Sequence, residues 1–317
     1  MTRKLLFAAT VAMAISSCTQ VEVDEVATQS REPIRFEQFV GKATRGEDVT
    51  TQNLTQFRVL GKKFNSPKGN IDITVTKGED NSWTYPEDQI LYWEPGATYC
   101  FAAIYAGESE NKFLFEGNSA ENYSITCSDF TDAMSEDKST DIVAAICTPA
   151  MVAKESGNEA VQFDFDHILA KVQITIINGE DDGARTFPVQ LKNIETASSF
   201  TLSNTAPQPT WQNKGTTYTY NFSNITLAAS GSKTITLYLI PQDGISQDDT
   251  TLKPQLYIDR RTSVGDEITC NLFNDVVTKW EAGKVYNYKI TIKQEEMKYS
   301  TKVEEWAGSD DVDLNDK

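Results

Sequence analysis

His167 is the only imidazole in 317 residues, and its solitude removes most hydrolytic chemistry. Ser-His-Asp triads and transition-metal centres each require imidazoles in defined places. His167 sits between Phe165 and Leu169 in an apolar strand pattern, the setting of a packed, hydrogen-bonded side chain rather than of a general base. The chain has no G-x-S-x-G, no H-E-x-x-H, no phosphate-cradling glycine loop and no G-x-G-x-x-G. Its 46 Asp and Glu are too many for any two to stand out as a glycosidic pair. Glu180-Asp181-Asp182-Gly183 and the terminal Asp310, Asp311, Asp313 and Asp316 are rich in oxygen, but neither has the alternating ligands of a calcium loop. No catalytic residue, metal site or cofactor is expected.

The cysteines divide into one and four. Residues 1–17 carry Arg3 and Lys4, an apolar run from Leu5 to Ile15 and then small residues, the layout of a secretory signal. Ile15-Ser16-Ser17-Cys18 resembles a lipobox, whose cysteine sulfur receives a diglyceride before a peptidase frees its amino group. Ser17 stands where Gly or Ala is commoner, yet it is small enough for that peptidase. Lipidation of Cys18, at about 0.8 kcal/mol per buried methylene, would hold the chain on a bilayer. Cys100, Cys127, Cys147 and Cys270 match no zinc spacing; four thiols allow three pairings, and the sequence leaves their redox state open.

Charge narrows the partners. Twenty-nine Lys and Arg against 46 acids give a net charge of −17, which argues against a nucleic-acid partner. After the signal, residues 18–32 are polar and acidic, as in a solvated tether. A first domain is expected over 33–158 and a second over 159–317, each large enough for its own core.

The elements follow from period. Val161, Phe163 and Phe165 alternate with polar residues, as do Ala170, Val172, Ile174 and Ile176. The apolar phase shifts from odd to even at His167, so a bulge or a change of packing partner is expected at 166–168, at the entry to the second domain. Residues 34–40 read as a first strand, followed by short strands at 54–60, 71–75, 83–85 and 90–93 between Pro- and Gly-containing turns. The nearly continuous apolar run 99–105 reads as a strand buried on both faces. Further strands are expected at 113–115, 123–126, 142–147, 188–194, 218–222, 235–240, 256–258 and 285–292, a loop at 128–140 and a short helix near 274–282. Trp93 and Trp280 read as core, and Trp211, in Pro207-Gln208-Pro209-Thr210-Trp211, as an exposed aromatic in a proline-rich loop. The fold class is all-β.

Several of these stretches carry a family resemblance. Phe165-Asp166-His167-Ile168-Leu169-Ala170-Lys171-Val172 with Ile174 and Ile176 resembles a strand of the fimbrillin-like proteins, the fimbrial subunits of anaerobic Gram-negative gut and mouth bacteria. Tyr92-Trp93-Glu94-Pro95-Gly96, Asp141-Ile142-Val143-Ala144-Ala145, the run Lys279–Tyr288 and Val303-Glu304-Glu305-Trp306 agree in the same order. The resemblance implies two transthyretin-like β-sandwiches in tandem, in a surface-exposed outer-membrane lipoprotein that joins a fimbrium.

It also implies a mechanism that is physical rather than catalytic. Such precursors are cut after an arginine, and loss of the N-terminal strand opens a groove that a strand of the next subunit fills. Ala43-Thr44-Arg45-Gly46 sits where a cut would remove the strand at 34–40, with Arg31 and Arg35 as competing sites. The donor strand is expected around Tyr299, Val303 and Trp306. Partners would be other fimbrial subunits, the outer membrane through lipid on Cys18, and a host or bacterial surface ligand. The rival reading is a surface carbohydrate-binding lipoprotein of a glycan-uptake system, which would display exposed aromatic platforms.

Overall fold

The computed structural model describes residues 32–40, 48–65, 69–131, 140–155, 157–247, 250–259, 267–293 and 297–306. Among them regular structure is almost all strand, and two short 3-10 turns, Glu87–Gln89 and Gly107–Lys112, are its helical pieces. In chain order the strands are β1 Phe36–Val40, β2 Gln56–Lys63, β3 Asn70–Lys77, β4 Trp83–Thr84, β5 Thr98–Tyr105, β6 Leu114–Ser119, β7 Asn122–Thr131, β8 Val143–Ile146, β9 Met151–Val152, β10 Val161–His167 and β11 Ala170–Asn178. They continue as β12 Arg185–Glu195, β13 Ala197–Ser203, β14 Ala206–Asn213, β15 Thr217–Leu227, β16 Ser232–Leu239, β17 Ile245–Gln247, β18 Thr250–Leu252, β19 Gln255–Asp259, β20 Glu267–Asn271, β21 Lys284–Ile292 and β22 Met297–Glu305.

The first sheet runs β1-β10-β8-β5-β2-β3-β4, with β9 added to β5. Rings from strands distant in that order meet: Phe57 of β2 lies 5.7 Å from Phe163 of β10, and Phe36 of β1 lies 5.8 Å from Phe101 of β5. The sheet therefore curls over one face, enclosing Phe36, Val59, Phe101, Phe163 and Phe165 in a core of its own. Its other face packs through Leu60, Ala102, Ile104 and Ala144 on Phe113, Ile125, Phe130, Phe200 and Leu202 of the second sheet and its approach. That places β5 between two cores, and its interior side chains are buried on both faces as the apolar run requires. Gly61 of β2 is obligatory there, because a Cβ would stand 2.3 Å from the carbonyl oxygen of Cys100.

The second sheet, β14-β13-β7-β6, mixes the two halves of the chain. The third, β16-β11-β21-β22, and the fourth, β15-β12-β19-β20, face each other over Val172, Ile174, Ile176, Leu191, Phe222, Leu256, Tyr288 and Ile290. β17 and β18 form a separate hairpin.

The phase shift at His167 marks the point where the chain leaves the first sheet, as β10, and enters the third, as β11. Two elements depart from the expected division at 158 and 159. β10 is hydrogen-bonded into the sheet of β1 and β8, and the hairpin β13–β14 pairs with β7. Of the expected loop over 128–140, residues 128–131 are strand, since β7 continues to Thr131 through its pairing with Ala197, and 132–139 lie outside the described residues. Residues 90–93 supply an isolated bridge, Tyr92 to Pro33, in place of a strand. The proline-rich stretch around Trp211 is edge strand β14, where prolines need not donate to a neighbour. The expected helix near 274–282 is a run of turns, with Asn274 Oδ1 accepting from the backbone N–H groups of Val276 and Val277.

Gly61→Ala should destabilise the fold by about 2–3 kcal/mol through overpacking of β2 on β5, seen as a lower urea midpoint with an unchanged slope.

Candidate functional site

The seat of β1 is a groove along the edge of β10. The two strands run parallel, with Phe36 opposite Val161, Gln38 opposite Phe163 and Val40 opposite Phe165. Ile34, Phe36 and Val40 are buried, whereas Phe39, on the other face, is 53% exposed. Phe36 stacks on Phe163 at 6.0 Å and meets Tyr85 at 5.7 Å. At roughly 1.5–3 kcal/mol for each fully buried large aliphatic or aromatic side chain, this apolar face stabilises the strand in its seat.

Polar contacts close both ends. The Tyr85 hydroxyl donates to the Ile34 carbonyl at 2.8 Å, and the Ile34 N–H to the Leu91 carbonyl at 2.8 Å. At the other end the Val40 N–H donates to Thr51 Oγ1 at 2.9 Å, whose hydroxyl returns a bond to the Val40 carbonyl at 3.0 Å. The inward Gln38 donates through Nε2 to the Thr51 carbonyl at 3.2 Å. Its Oε1 is buried without a partner, as are Trp93 Nε1 and Asn158 Nδ2 beside the seat. Each unmade bond of that kind costs about 1–3 kcal/mol. β1 is thus held by its apolar face and its ladder, with incomplete polar satisfaction.

Beyond Val40 and residues 41–47 the chain is gripped again, by a buried polar cluster. The Lys171 ammonium lies 2.7 Å from both carboxylate oxygens of Asp48, and the Tyr238 hydroxyl donates to the same carboxylate at 2.8 Å. Asp141 accepts the Val49 N–H at 2.8 Å, and His167 Nδ1 lies 3.1 Å from its other oxygen, so Nδ1–H is the donor. Asp48, Asp141, His167 and Lys171 are each no more than 4% exposed. The Trp306 indole lies flat on the His167 ring, 4.0 Å between centroids and 5° from parallel.

Taking both charges from water costs several kcal/mol per ion, and the pair is tolerable because Tyr238 and two short N–H···O contacts complete the solvation of Asp48. His167 is accordingly the packed, hydrogen-bonded residue its sequence context indicates. Sequence reading missed Asp48, Asp141 and Lys171 as a set. The available signal was Lys171, a cation inside an apolar strand, but its partner is 123 residues away in the chain.

Cys18, Arg45 and Gly46 lie outside the described residues. Tyr299 and Val303 belong to β22, the edge strand of the third sheet, and Trp306 follows it. Val303 pairs with Tyr286, Thr301 with Tyr288 and Tyr299 with Ile290. The Thr301 hydroxyl is buried without a partner. Trp93 and Trp280 are core residues, 3% and 1% exposed. Trp211 differs from its expected role as an exposed platform. Its Nε1–H donates to the Ile168 carbonyl at 2.8 Å, and its ring packs on Phe130 and Phe200 at 5.2 and 5.0 Å.

Cys100, Cys127, Cys147 and Cys270 are free thiols. Burial pushes Cys100 and Cys147 up to about 12 and Cys270 to about 11, and raises Cys127 as well. All four are small packing groups rather than nucleophiles.

Two outcomes follow. Lys171→Met alone should cost about 3–5 kcal/mol, because it strands a buried carboxylate, whereas Asp48→Leu with Lys171→Met should recover most of it; urea unfolding reads both. At pH 8 the four thiols should resist iodoacetamide in the folded chain and all react once it is unfolded, as counted by mass spectrometry.

The sequence profile described as Fimbrillin-like matches residues 44–306. The fimbrium subunit Fim1C of Phocaeicola vulgatus is 24% identical over 381 aligned positions, covering 98% of both chains. Among solved structures, a protein assigned to cell adhesion from Bacteroides uniformis superposes with a TM-score of 0.55 at 19% identity, covering 86% of this chain and 99% of that one. A fimbrial protein from Bacteroides vulgatus gives a TM-score of 0.50 at 18% identity, over 86% and 99%. These two show the shared fold.

Proposed function

The chain belongs to the fimbrillin-like family and is a subunit of a cell-surface fimbrium, and on that premise we propose that it polymerises by giving up β1 and accepting a strand from another subunit. In this reading residues 1–17 direct export, Cys18 is lipidated and residues 18–32 tether the chain to the outer membrane. Cleavage between Arg45 and Gly46 then frees β1. Tandem transthyretin-like sandwiches form the body, and other fimbrial subunits are the partners.

The observation that carries the reading is a correspondence between two strands of this chain. Ile34-Arg35-Phe36-Glu37-Gln38-Phe39-Val40 and Met297-Lys298-Tyr299-Ser300-Thr301-Lys302-Val303 share one order: aliphatic, basic, aromatic, hydrophilic, polar, variable, valine. In β1 the inward positions are Ile34, Phe36, Gln38 and Val40. In that register a β22 segment would offer Tyr299 for the Phe36 pocket, Val303 for that of Val40, and Thr301 near the Thr51 carbonyl that Gln38 now occupies. The polar third position matters most. An all-apolar strand would leave that carbonyl with only the long contact from Lys77 Nζ at 3.5 Å, whereas Thr301 brings a hydroxyl donor of its own.

Where the chain would be cut also supports the reading. Arg45 and Gly46 fall between Val40, which is held by Thr51, and Asp48, which is held by Lys171. A cut there separates an element seated by its ladder and apolar face from one anchored independently. What remains is an apolar groove beside an unpaired strand edge, a surface that an extended segment completes along its whole length.

Trypsin treatment of the folded precursor should yield a chain starting at Gly46 by N-terminal sequencing, and Arg45→Ala should abolish that product and the polymers that follow. A peptide of residues 297–306 should bind the cleaved chain and not the precursor. Tyr299→Ser with Val303→Ser in the peptide should weaken binding at least tenfold. Equal binding of both peptides, or binding to the uncut precursor, defeats the assignment of β22.

A further inference from the structure

β22 is an edge strand held by its ladder to β21 and by Tyr299, which stacks on Tyr288 at 6.2 Å and whose hydroxyl accepts from Asn274 Nδ2 at 3.2 Å. From Lys298 to Glu305 none of its side chains is fully buried, whereas Trp306, the residue immediately after, is 0% exposed. Its rim contacts are surface ones: Asn287 Nδ2 donates to Glu304 at 2.9 Å, and Lys284 pairs with Glu305. The end of the strand is fixed where Trp306 enters the polar cluster. The Trp306 N–H donates to the Gly283 carbonyl at 2.8 Å. One face of the indole covers His167 at 4.0 Å, Tyr238 lies near-parallel to it at 5.5 Å, and the Lys171 ammonium sits 5.9 Å from its centroid.

The fit is tight in shape and deficient in polarity. Trp306 Nε1 and His167 Nε2 are both buried without a hydrogen-bond partner. Parallel stacking explains why they do not satisfy each other, since an indole N–H lies in the plane of its ring and cannot reach an acceptor in a ring flat against it. Lifting the indole out would hydrate both nitrogens. The apolar and π contacts oppose release, and the two unmade hydrogen bonds favour it.

We infer that the stack of Trp306 on His167 is a latch that retains β22 at home and sets how readily it leaves. The latch deepens the polymerisation reading, because it governs the strand which that reading sends to a second copy. It also places both ends of the exchange on one cluster: Asp48, the third residue of the chain left after cleavage, pairs with Lys171 beneath the same indole. The restraint is local to the end of β22. It differs from general core packing, whose loss would loosen the third sheet as a whole.

Amide hydrogen exchange of the full chain separates these possibilities. Trp306→Ala should speed exchange of β22 at least tenfold while β11 and β16 keep their protection, and Trp306→Phe, which preserves the stack, should stay within about threefold of the parent. If Trp306→Ala fails to fold, His167→Ala removes the platform from the opposite side and should give the same local pattern. Unchanged exchange in β22, or an equal acceleration across β11, β16 and β21, overturns the latch. Polymerisation after cleavage is read separately. A Trp306→Ala chain that loosens at β22 and polymerises no faster leaves the latch standing and removes β22 as the travelling strand.

Discussion

The outer edge of β10 has to be paired. Backbone N–H and C=O groups facing an apolar groove cannot be left unmade without cost, and the groove lined by Phe57, Phe101 and Phe163 cannot face water without losing the burial that holds the curled sheet together. β1 meets both demands with one short strand. It does so incompletely, leaving the Gln38 and Trp93 side chains each with a buried polar atom unmatched. β1 is an edge strand seated parallel to β10, held by its ladder, its buried apolar face and the hydrogen bonds of Ile34 and Val40 at its ends.

The polar cluster fixes a different part of the chain, the segment that resumes at Asp48. A buried ion pair is a poor source of net stability, because desolvation offsets most of the attraction. Its value here is directional. Lys171 comes from the strand that opens the third sheet, Asp48 from the segment after β1, Asp141 from the approach to β8, and Trp306 from the end of the chain's last strand. Apolar packing could hold the same four segments, but it would tolerate sliding. Charge paired to charge at 2.7 Å in a buried site does not, and so Asp48 and Val49 are held independently of β1.

The second sheet shows how the two halves resist separation. β13 and β14 belong by sequence to the second half, yet they complete a sheet begun by β6 and β7, with Phe200 packed against Phe113 at 5.6 Å. Trp211 then ties that hairpin to the crossover by donating to the Ile168 carbonyl. Pulling the halves apart must therefore break strand ladders as well as side-chain contacts.

Much of this was legible in the chain itself. Alternation at 161–165 and 170–176, the unbroken apolar run of β5 and the missing helical period specified an all-β protein, and the phase shift at His167 marked a bulge or a change of packing partner, which the fold resolves as the passage from the first sheet to the third. The single imidazole argued against Ser-His-Asp triads and multi-histidine metal centres for a similarly local reason: residue types can be counted. Edge strand β14 hid behind its prolines, which mark loops more often than edges, and the division at 158 and 159 overlooked that β10 pairs backward with β1. The ion pair of Asp48 with Lys171, the stack of Trp306 on His167 and the seat of β1 on β10 depend on which segments lie side by side across more than a hundred residues. Local composition determines what a strand buries; only the closed fold decides what it is buried against.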